Sequence, residues 1–312
     1  MQNAFSHPPE VIVLGTAAID LVARVPAMPN PDEIILAESY AQYPGGAAAN
    51  VAVGLARLGV KTGFVGCLGD DAWGSQLKAT FAQEGVDTRQ VFIEPGQHSA
   101  ACFIAVEPQG VRRIIALGGI ALLDSAERLD AHYFEAAQAL YIGDAFIDVA
   151  AAVARLARQQ GARVFLAPGG VMVSAGLGLL APVLALSQVL ILSRSEALML
   201  AGGTELEQAL PRLAESGPEI IVTTLGSQGA LLFYDGETRP IPPYPVSAMI
   251  DTTGAGDALA AGVIAGYLEQ RSWPDSVRFG CAAAALKIAH SGAQTGLPDR
   301  QAVNSLMEKI KQ

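Results

Sequence analysis

The chain has 312 residues, 51% of them hydrophobic and 16% charged, with a formal net charge of -10. These totals fit one large α/β domain or two small ones and exclude a disordered chain. With an acidic balance and no Lys/Arg cluster, nucleic acid is excluded as a partner, and an anionic substrate needs help from helix N-termini, a metal ion or single basic residues.

Val11–Leu14 is a short apolar run ending at Gly15, as expected of a buried parallel strand. Asp20 to Tyr43 carries Pro26, Pro29 and Pro31 and does not read as a helix; a short strand is expected at Ile34–Leu36. Gly45 to Gly59 does read as a helix, with Val51, Leu55 and Leu58 on one face and Gly59 at the C′ position. A strand at Lys61–Leu68 and a helix from Trp73 to Gln83, closed by Gly85, follow. Ala100–Val106 and Arg112–Leu117 are apolar runs joined by Glu107-Pro108-Gln109-Gly110, which favours a type I turn and an antiparallel hairpin. Arg112 and Arg113 alternate across that hairpin; solvated strand residues are the expected reading, and one that faced the pocket would bind an anionic substrate group.

Strands are then expected at Ala139–Ile142, Arg163–Leu166, Val189–Leu192, Ile220–Thr224 and Gly229–Tyr234. Helices fall at about Val149–Gln159, Ser195–Ala201 and Leu206–Glu215. The uncharged stretch Pro168 to Ser193 is interrupted by Pro182 and several glycines, so it reads as a helix near Ala181–Leu186 plus a strand and not as a membrane span. The end of the chain supplies helices at Ala258–Leu268, Val277–His290 and from about Arg300. Strands alternating with helices imply an α/β fold of three layers, a mostly parallel sheet covered on both faces. No repeat or linker marks a second domain. Residues 1–312 read as one domain, with a small β lid from segments near 16–44 and 96–118.

Cys67, Cys102 and Cys281 are scattered, as buried free thiols of a reducing compartment are. The four histidines lack zinc-ligand spacing. The N-terminal MQNAFSHPPE has neither a basic region nor an apolar core, so no signal peptide is expected, and the reading is a cytoplasmic protein.

The chemistry gathers at Asp251-Thr252-Thr253-Gly254-Ala255-Gly256-Asp257, ahead of the apolar run Ala258 to Leu268. The N–H groups of Gly254, Ala255 and Gly256 are expected to be unbonded at a helix N-terminus, a site for an anion. Asp257 in the same turn adds a carboxylate able to accept a proton. An N-cap with a glycine turn explains the same residues without chemistry. In open α/β sheets ligands bind beyond the carboxyl ends of the strands. Asp20, Gly45-Gly46 with Asn50, Asp144, Glu196 and Thr224-Leu225-Gly226-Ser227-Gln228-Gly229 all fall there. GxxxxGK[ST], GxGxxG after a strand and GxSxG are absent, which excludes P-loop, dinucleotide and hydrolase signatures.

Together these motifs resemble the ribokinase, or phosphofructokinase-B (PfkB), family of carbohydrate kinases. The match runs through Gly45-Gly46, Asn50, Ala52, Gly59, Gly69 and Asp70, then Thr224–Gly229, Asp251–Asp257 with Ala261-Gly262, and Gly292-Ala293-Gln294 before Pro298. The resemblance implies an ATP-dependent kinase of a small sugar or sugar derivative. It implies Asp257 as catalytic base, Gly254, Ala255 and Gly256 as anion hole, and Asp20, Gly45, Gly46, Asn50 and Asp144 as substrate residues. It places ATP near Ser193, Thr224, Gly226 and Gly229. It has Glu196 orient Mg²⁺ through water, and Asp251 and Thr253 help bind a monovalent cation such as K⁺. It departs from the family pattern at Ala47 and Ala48, where ribokinases carry Lys and Gly, at Ser193 for Asn, and at Cys281 for an Asn near the purine. A nucleoside kinase of the same fold is the alternative, and a non-catalytic ligand-binding homologue a further one; 6% aromatic residues offer few stacking partners for a base and favour sugar. A lid with an exposed sheet edge implies a homodimer formed through it.

Overall fold

Val11 and Val13 enter one hydrophobic cluster, Ile12 and Leu14 another, and Phe64 and Val65 divide the same way. Side chains alternate across a strand, so a strand apolar at every position must be buried on both faces. The computed structural model describes residues 8–108, 111–246 and 248–310 and shows that layered arrangement.

In chain order, β1 (Val11–Leu14), β2 (Ala18–Arg24) and β3 (Ser39–Gly45) precede α1 (Ala47–Arg57), β4 (Thr62–Gly69), α2 (Ala72–Gln83) and β5 (Asp87–Glu94). Strands β6 (Ala101–Val106) and β7 (Arg112–Gly118) form the hairpin. Then come β8 (Ala139–Ile142), α3 (Ile147–Gln159), β9 (Arg163–Leu166), α4 (Gly170–Ser174), α5 (Leu177–Leu184), β10 (Val189–Ser193), α6 (Arg194–Ala201) and α7 (Leu206–Ala214). The chain closes with β11 (Ile220–Thr224), β12 (Ala230–Tyr234), β13 (Glu237–Ile241), α8 (Ala255–Leu268), α9 (Trp273–Lys287) and α10 (Arg300–Ile310).

The large sheet has the order β13-β12-β11-β10-β9-β8-β1-β4-β5. Strands β5 through β11 in that order are parallel, and β12 and β13 add antiparallel to the edge. α1, α8 and α9 bury one face of it, and α3, α5, α6 and α7 the other. Helices α8 and α9 meet through glycine: a Cβ on Gly262 would come within 2.6 Å of the Gly280 Cα. α8 is buried without a break from Ala258 to Gly266, which fixes the axis of the helix whose first turn carries Asp257.

A second sheet, β3-β2-β6-β7, stands beside the first. The expected strand at Ile34–Leu36 is not formed; Ile34 is 97% and Leu36 89% exposed. Strand β2 pairs with β3 from Ala18↔Gly45 to Arg24↔Ser39, so residues before Ser39 lie past the end of their partner. The expected hairpin is present, with Glu107 donating its N–H to the Val111 carbonyl. Gln109 and Gly110 of its expected type I turn lie outside the described residues, as does most of the N-terminal stretch read for a signal peptide. Strands β5 and β13 carry polar alternation (DTRQVFIE, ETRPI) and escape an apolar-run reading. Pro44 and Pro240 both sit on edge strands, where a missing N–H costs no ladder bond.

The uncharged stretch folds as α4, α5 and β10, and among the described residues no helix is long and apolar enough to cross a membrane. All three cysteines are free, but only Cys67 and Cys281 are buried; Cys102 is half-buried.

Candidate active site

The site forms where the carboxyl ends of the parallel strands meet the second sheet. Gly254 caps α8 in a left-handed conformation (φ 79°, ψ 3°), and a Cβ there would meet the Ala293 carbonyl at 2.7 Å. Glycine is therefore required both by backbone angle and by space. Ala255 departs from expectation. Its N–H is not free but donates to the Thr252 carbonyl at 3.2 Å, closing the turn. Neither Gly254 nor Gly256 donates its N–H to a described residue.

Asp257 follows in the first turn of α8. Asn50 Nδ2 donates to its Oδ2 at 2.7 Å, and Gln294 Nε2 donates to Asn50 Oδ1 at 3.1 Å. Burial is the main cause that lifts the Asp257 carboxyl to about 7; the Asn50 bond opposes it, and Asp20 and Asp144 add repulsion. A group titrating there changes charge near neutral pH, as general base catalysis needs.

Asp20 is buried on β2, and Gly45 leaves it room: a Cβ on Gly45 would come within 2.2 Å of Asp20 Oδ2. Burial, then repulsion from Asp251, raises Asp20 to about 6. Gly46 caps α1 at φ 90°, pressed on the backbone of Thr16 to Ala18. Asp144 follows β8 with Oδ1 buried and unpartnered among the described residues, and Gly169 lies against its carboxyl group. Burial, then Glu196, raises the Asp144 pKa.

Glu196 and Ser193 form a capping box at the start of α6: Ser193 N donates to Glu196 Oε2 at 2.7 Å, and Glu196 N to Ser193 Oγ at 3.3 Å. Glu196 Oε1 takes no part in it. Thr224 ends β11. Gly226 opens the turn after it at φ 59° with free space where a Cβ would stand. Gly229, at φ 87°, is instead packed on the backbone of Ile241 and Pro243.

Asp251 contrasts with Asp257. Its Oδ1 accepts from Thr253 N at 2.8 Å and Thr253 Oγ1 at 2.7 Å, and its Oδ2 from Gly292 N at 2.8 Å. Burial disfavours its charge, but these bonds and Lys287 outweigh that and hold its pKa below the ordinary value. Thr253 Oγ1 also accepts from Arg112 of β7.

A cavity of about 520 Å³ opens between the second sheet and the 249–253 and 291–293 loops. Asp20, Tyr43 and Asp251 line it, while Asn50 and Asp257 lie beyond its lining. Ser39, Arg24, Val106 and Arg112 are successive register partners across β3, β2, β6 and β7, and all four line it. Of the two hairpin arginines, then, Arg112 faces the pocket and Arg113 pairs with Glu107 at 3.0 Å. Arg24 has no ion-pair partner among the described residues.

The pfkB family carbohydrate kinase model matches residues 8–300. The chain belongs to the pfkB family of carbohydrate kinases. It is 31% identical to a ribokinase of Haemophilus influenzae, covering 95% of this chain and 97% of that protein. It is 30% identical to an aminoimidazole riboside kinase of Salmonella typhimurium, covering 96% and 95%. Its structure is similar to that of Arabidopsis thaliana ribokinase complexed with ribose and ATP, with a TM-score of 0.87, 27% identity and coverage of 97% and 99%. The fold is accordingly ribokinase-like, and the activity class is phosphotransfer to an alcohol group.

Sequence reasoning missed three groups that the structure brings to this site. Gln294 was visible only as part of a loop motif, and its bond to Asn50 spans the fold. Lys287 gave no signal inside an alanine-rich helix. Arg24 lies in a strand that the prolines after it obscured.

Proposed function

We propose that this protein transfers the γ-phosphoryl group of ATP to a hydroxyl of a small sugar derivative, with Asp257 as the base. The single observation that carries this reading is the 2.7 Å bond from Asn50 to Asp257. It joins the substrate half of the site, on α1 beside Asp20, to the phosphate half, at the start of α8. Phosphoryl transfer needs positioning and charge stabilisation more than covalent help. Asp257 takes the hydroxyl proton as that oxygen attacks phosphorus, and the free N–H groups of Gly254 and Gly256 stabilise the transferred phosphoryl group. Asp20 accepts hydrogen bonds from the sugar, with Gly45, Gly46 and Asp144 shaping the same end.

ATP lies along the strand ends near Thr224 and Gly226. Among the described residues no group of three or more His, Cys, Asp or Glu forms a metal cage. Glu196, whose Oε1 takes no part in the capping box, fits a Mg²⁺ ion held mainly through water and phosphate oxygens. When bound, that ion would neutralise charge on the phosphates.

The Arg24–Val106–Arg112 row favours a sugar derivative that carries an acidic group over a neutral sugar or a nucleoside. Two guanidinium groups in one row, one of them unpaired, suit a carboxylate or phosphate. The second sheet then acts as the lid of a single-domain enzyme, excluding water from the phosphoryl group. β7 is exposed at every position, including Ile114, Ile115 and Leu117, and pairing of this edge in a homodimer would cover it; a monomeric mass in dilute solution would refute that part. Free thiols and use of ATP suit the cytoplasm.

The test is a panel of neutral sugars, acidic sugars, sugar phosphates and nucleosides with ATP and Mg²⁺, read by ADP release. Turnover with acidic sugars or sugar phosphates supports the reading. Turnover only with nucleosides selects the alternative, and no ADP with any acceptor refutes the catalytic assignment.

A further inference from the structure

Lys287 ends α9 with no exposed surface. Its ammonium group donates to the backbone carbonyl of Asp251 at 2.9 Å and to that of His290 at 3.3 Å. None of its contacts is an ion pair among the described residues. Burying a cation without a contacting carboxylate is unfavourable, so such a charge persists where the surrounding structure depends on it.

Those two carbonyls belong to the two loops that shape the phosphate end of the site. The Asp251 carbonyl starts the turn that leads to Gly254. The His290 carbonyl starts the loop whose Gly292 N–H holds Asp251 Oδ2 and whose Ala293 presses on Gly254. Ile250 and Asp251 in turn donate their N–H groups to the Ile288 carbonyl. A cation beneath two convergent carbonyls and close to a carboxylate is the arrangement that a bound monovalent ion makes.

Asp251 and Thr253, expected to serve such an ion, do not fit it. The Asp251 carboxylate is engaged by three protein donors, Thr253 Oγ1 lies between Asp251 and Arg112, and the Asp251 carbonyl already faces an ammonium group. We infer that Lys287 is a built-in cation, a positioning residue whose ammonium group takes the place of a monovalent ion and holds the 251–254 turn in its phosphate-binding shape without potassium. This rests on the reading that Gly254 and Gly256 bind the phosphoryl group.

The experiment compares KCl with tetramethylammonium chloride, whose cation is too large for the position, at equal ionic strength. Melting temperature and ADP release are both read. The wild-type protein is expected to give the same values in the two salts. Lys287→Ala, which leaves room for an ion, is expected to lose about tenfold or more of its ADP release in tetramethylammonium and to recover it in KCl, with a melting temperature that rises with K⁺ as ligand linkage requires. Lys287→Met fills the space without charge and is expected to lose activity in both salts. A wild-type melting temperature or rate that rises in KCl alone overturns the inference, as does a folded Lys287→Ala that K⁺ neither stabilises nor restores. Should Lys287→Ala not fold, the wild-type comparison decides. Should no acceptor give ADP, the kinase assignment fails, while the two melting temperatures still decide the role of Lys287.

Discussion

Asp251 and Asp257 lie in one loop-to-helix junction, yet their carboxyl groups sit in opposite environments. Asp251 accepts three hydrogen bonds and lies near Lys287, and its pKa is held below the ordinary value. Asp257 accepts one, from Asn50, is surrounded by Asp20 and Asp144, and titrates near 7. Residue type is identical and sequence separation small, so burial, hydrogen bonding and neighbouring charges set the two apart. The first carboxylate is held toward its charged form, and its hydrogen bonds to Thr253 and Gly292 shape the turn. The second changes charge near neutral pH.

Removing the second carboxylate tests that division most severely. Asp257→Asn is expected to lower kcat by about a thousandfold, the scale of a lost general base. ATP affinity measured by calorimetry is expected to stay near the wild-type value. Near-normal turnover would end the assignment of Asp257 as base.

Asp20→Asn is expected next in size, with kcat/KM for the sugar falling about 10–100-fold, the scale of a lost charge-assisted hydrogen bond. Because Asp20 raises the Asp257 pKa, the acidic limb of the kcat/KM profile should also move to lower pH. An unchanged profile would mean that the two carboxylates do not interact.

Asp251→Asn is expected to raise the KM for ATP by about tenfold, with the limb set by Asp257 unmoved, since the change loosens the turn through lost hydrogen bonds. A shift of that limb as large as the one in Asp20→Asn would collapse the contrast between the two positions. Asn50→Ala withdraws the one bond that favours ionised Asp257, so its limb should move to higher pH.

The smallest effect is on stability. Asp20 and Asp257 have folded pKa values of about 6 and about 7 against an ordinary 3.8. A raised pKa contributes stability that is complete below the unfolded value and is lost as pH rises through the folded one. The melting temperature of the ligand-free protein should therefore fall between pH 5 and pH 8, and fall less in Asp257→Asn, by differential scanning fluorimetry.

The two regions also differ in how far the chain announces them. Residues 251–257 were legible because a glycine turn before an apolar helix is a local pattern, and the parallel strands were legible because burial on both faces leaves continuous apolar runs. Strands β2 and β3 were not. A segment carrying Pro26, Pro29 and Pro31 separates them, and β3 is a largely exposed edge, so the apolar pair Ile34 and Leu36 drew the expectation to residues that end in solvent.

By itself, the sequence determined the inner strands of the large sheet, the glycine turn and the identity of the carboxylates at the strand ends, because each depends on neighbours within a few residues. Only the tertiary structure decided what surrounds those carboxylates. The Asn50–Asp257 bond, the Gln294 bond behind it, the Arg24–Arg112 row and the Lys287 ammonium beneath the Asp251 carbonyl all join distant segments. A pKa or a hydrogen bond is a property of the space around a group, and that space exists only once the sheets and helices have packed.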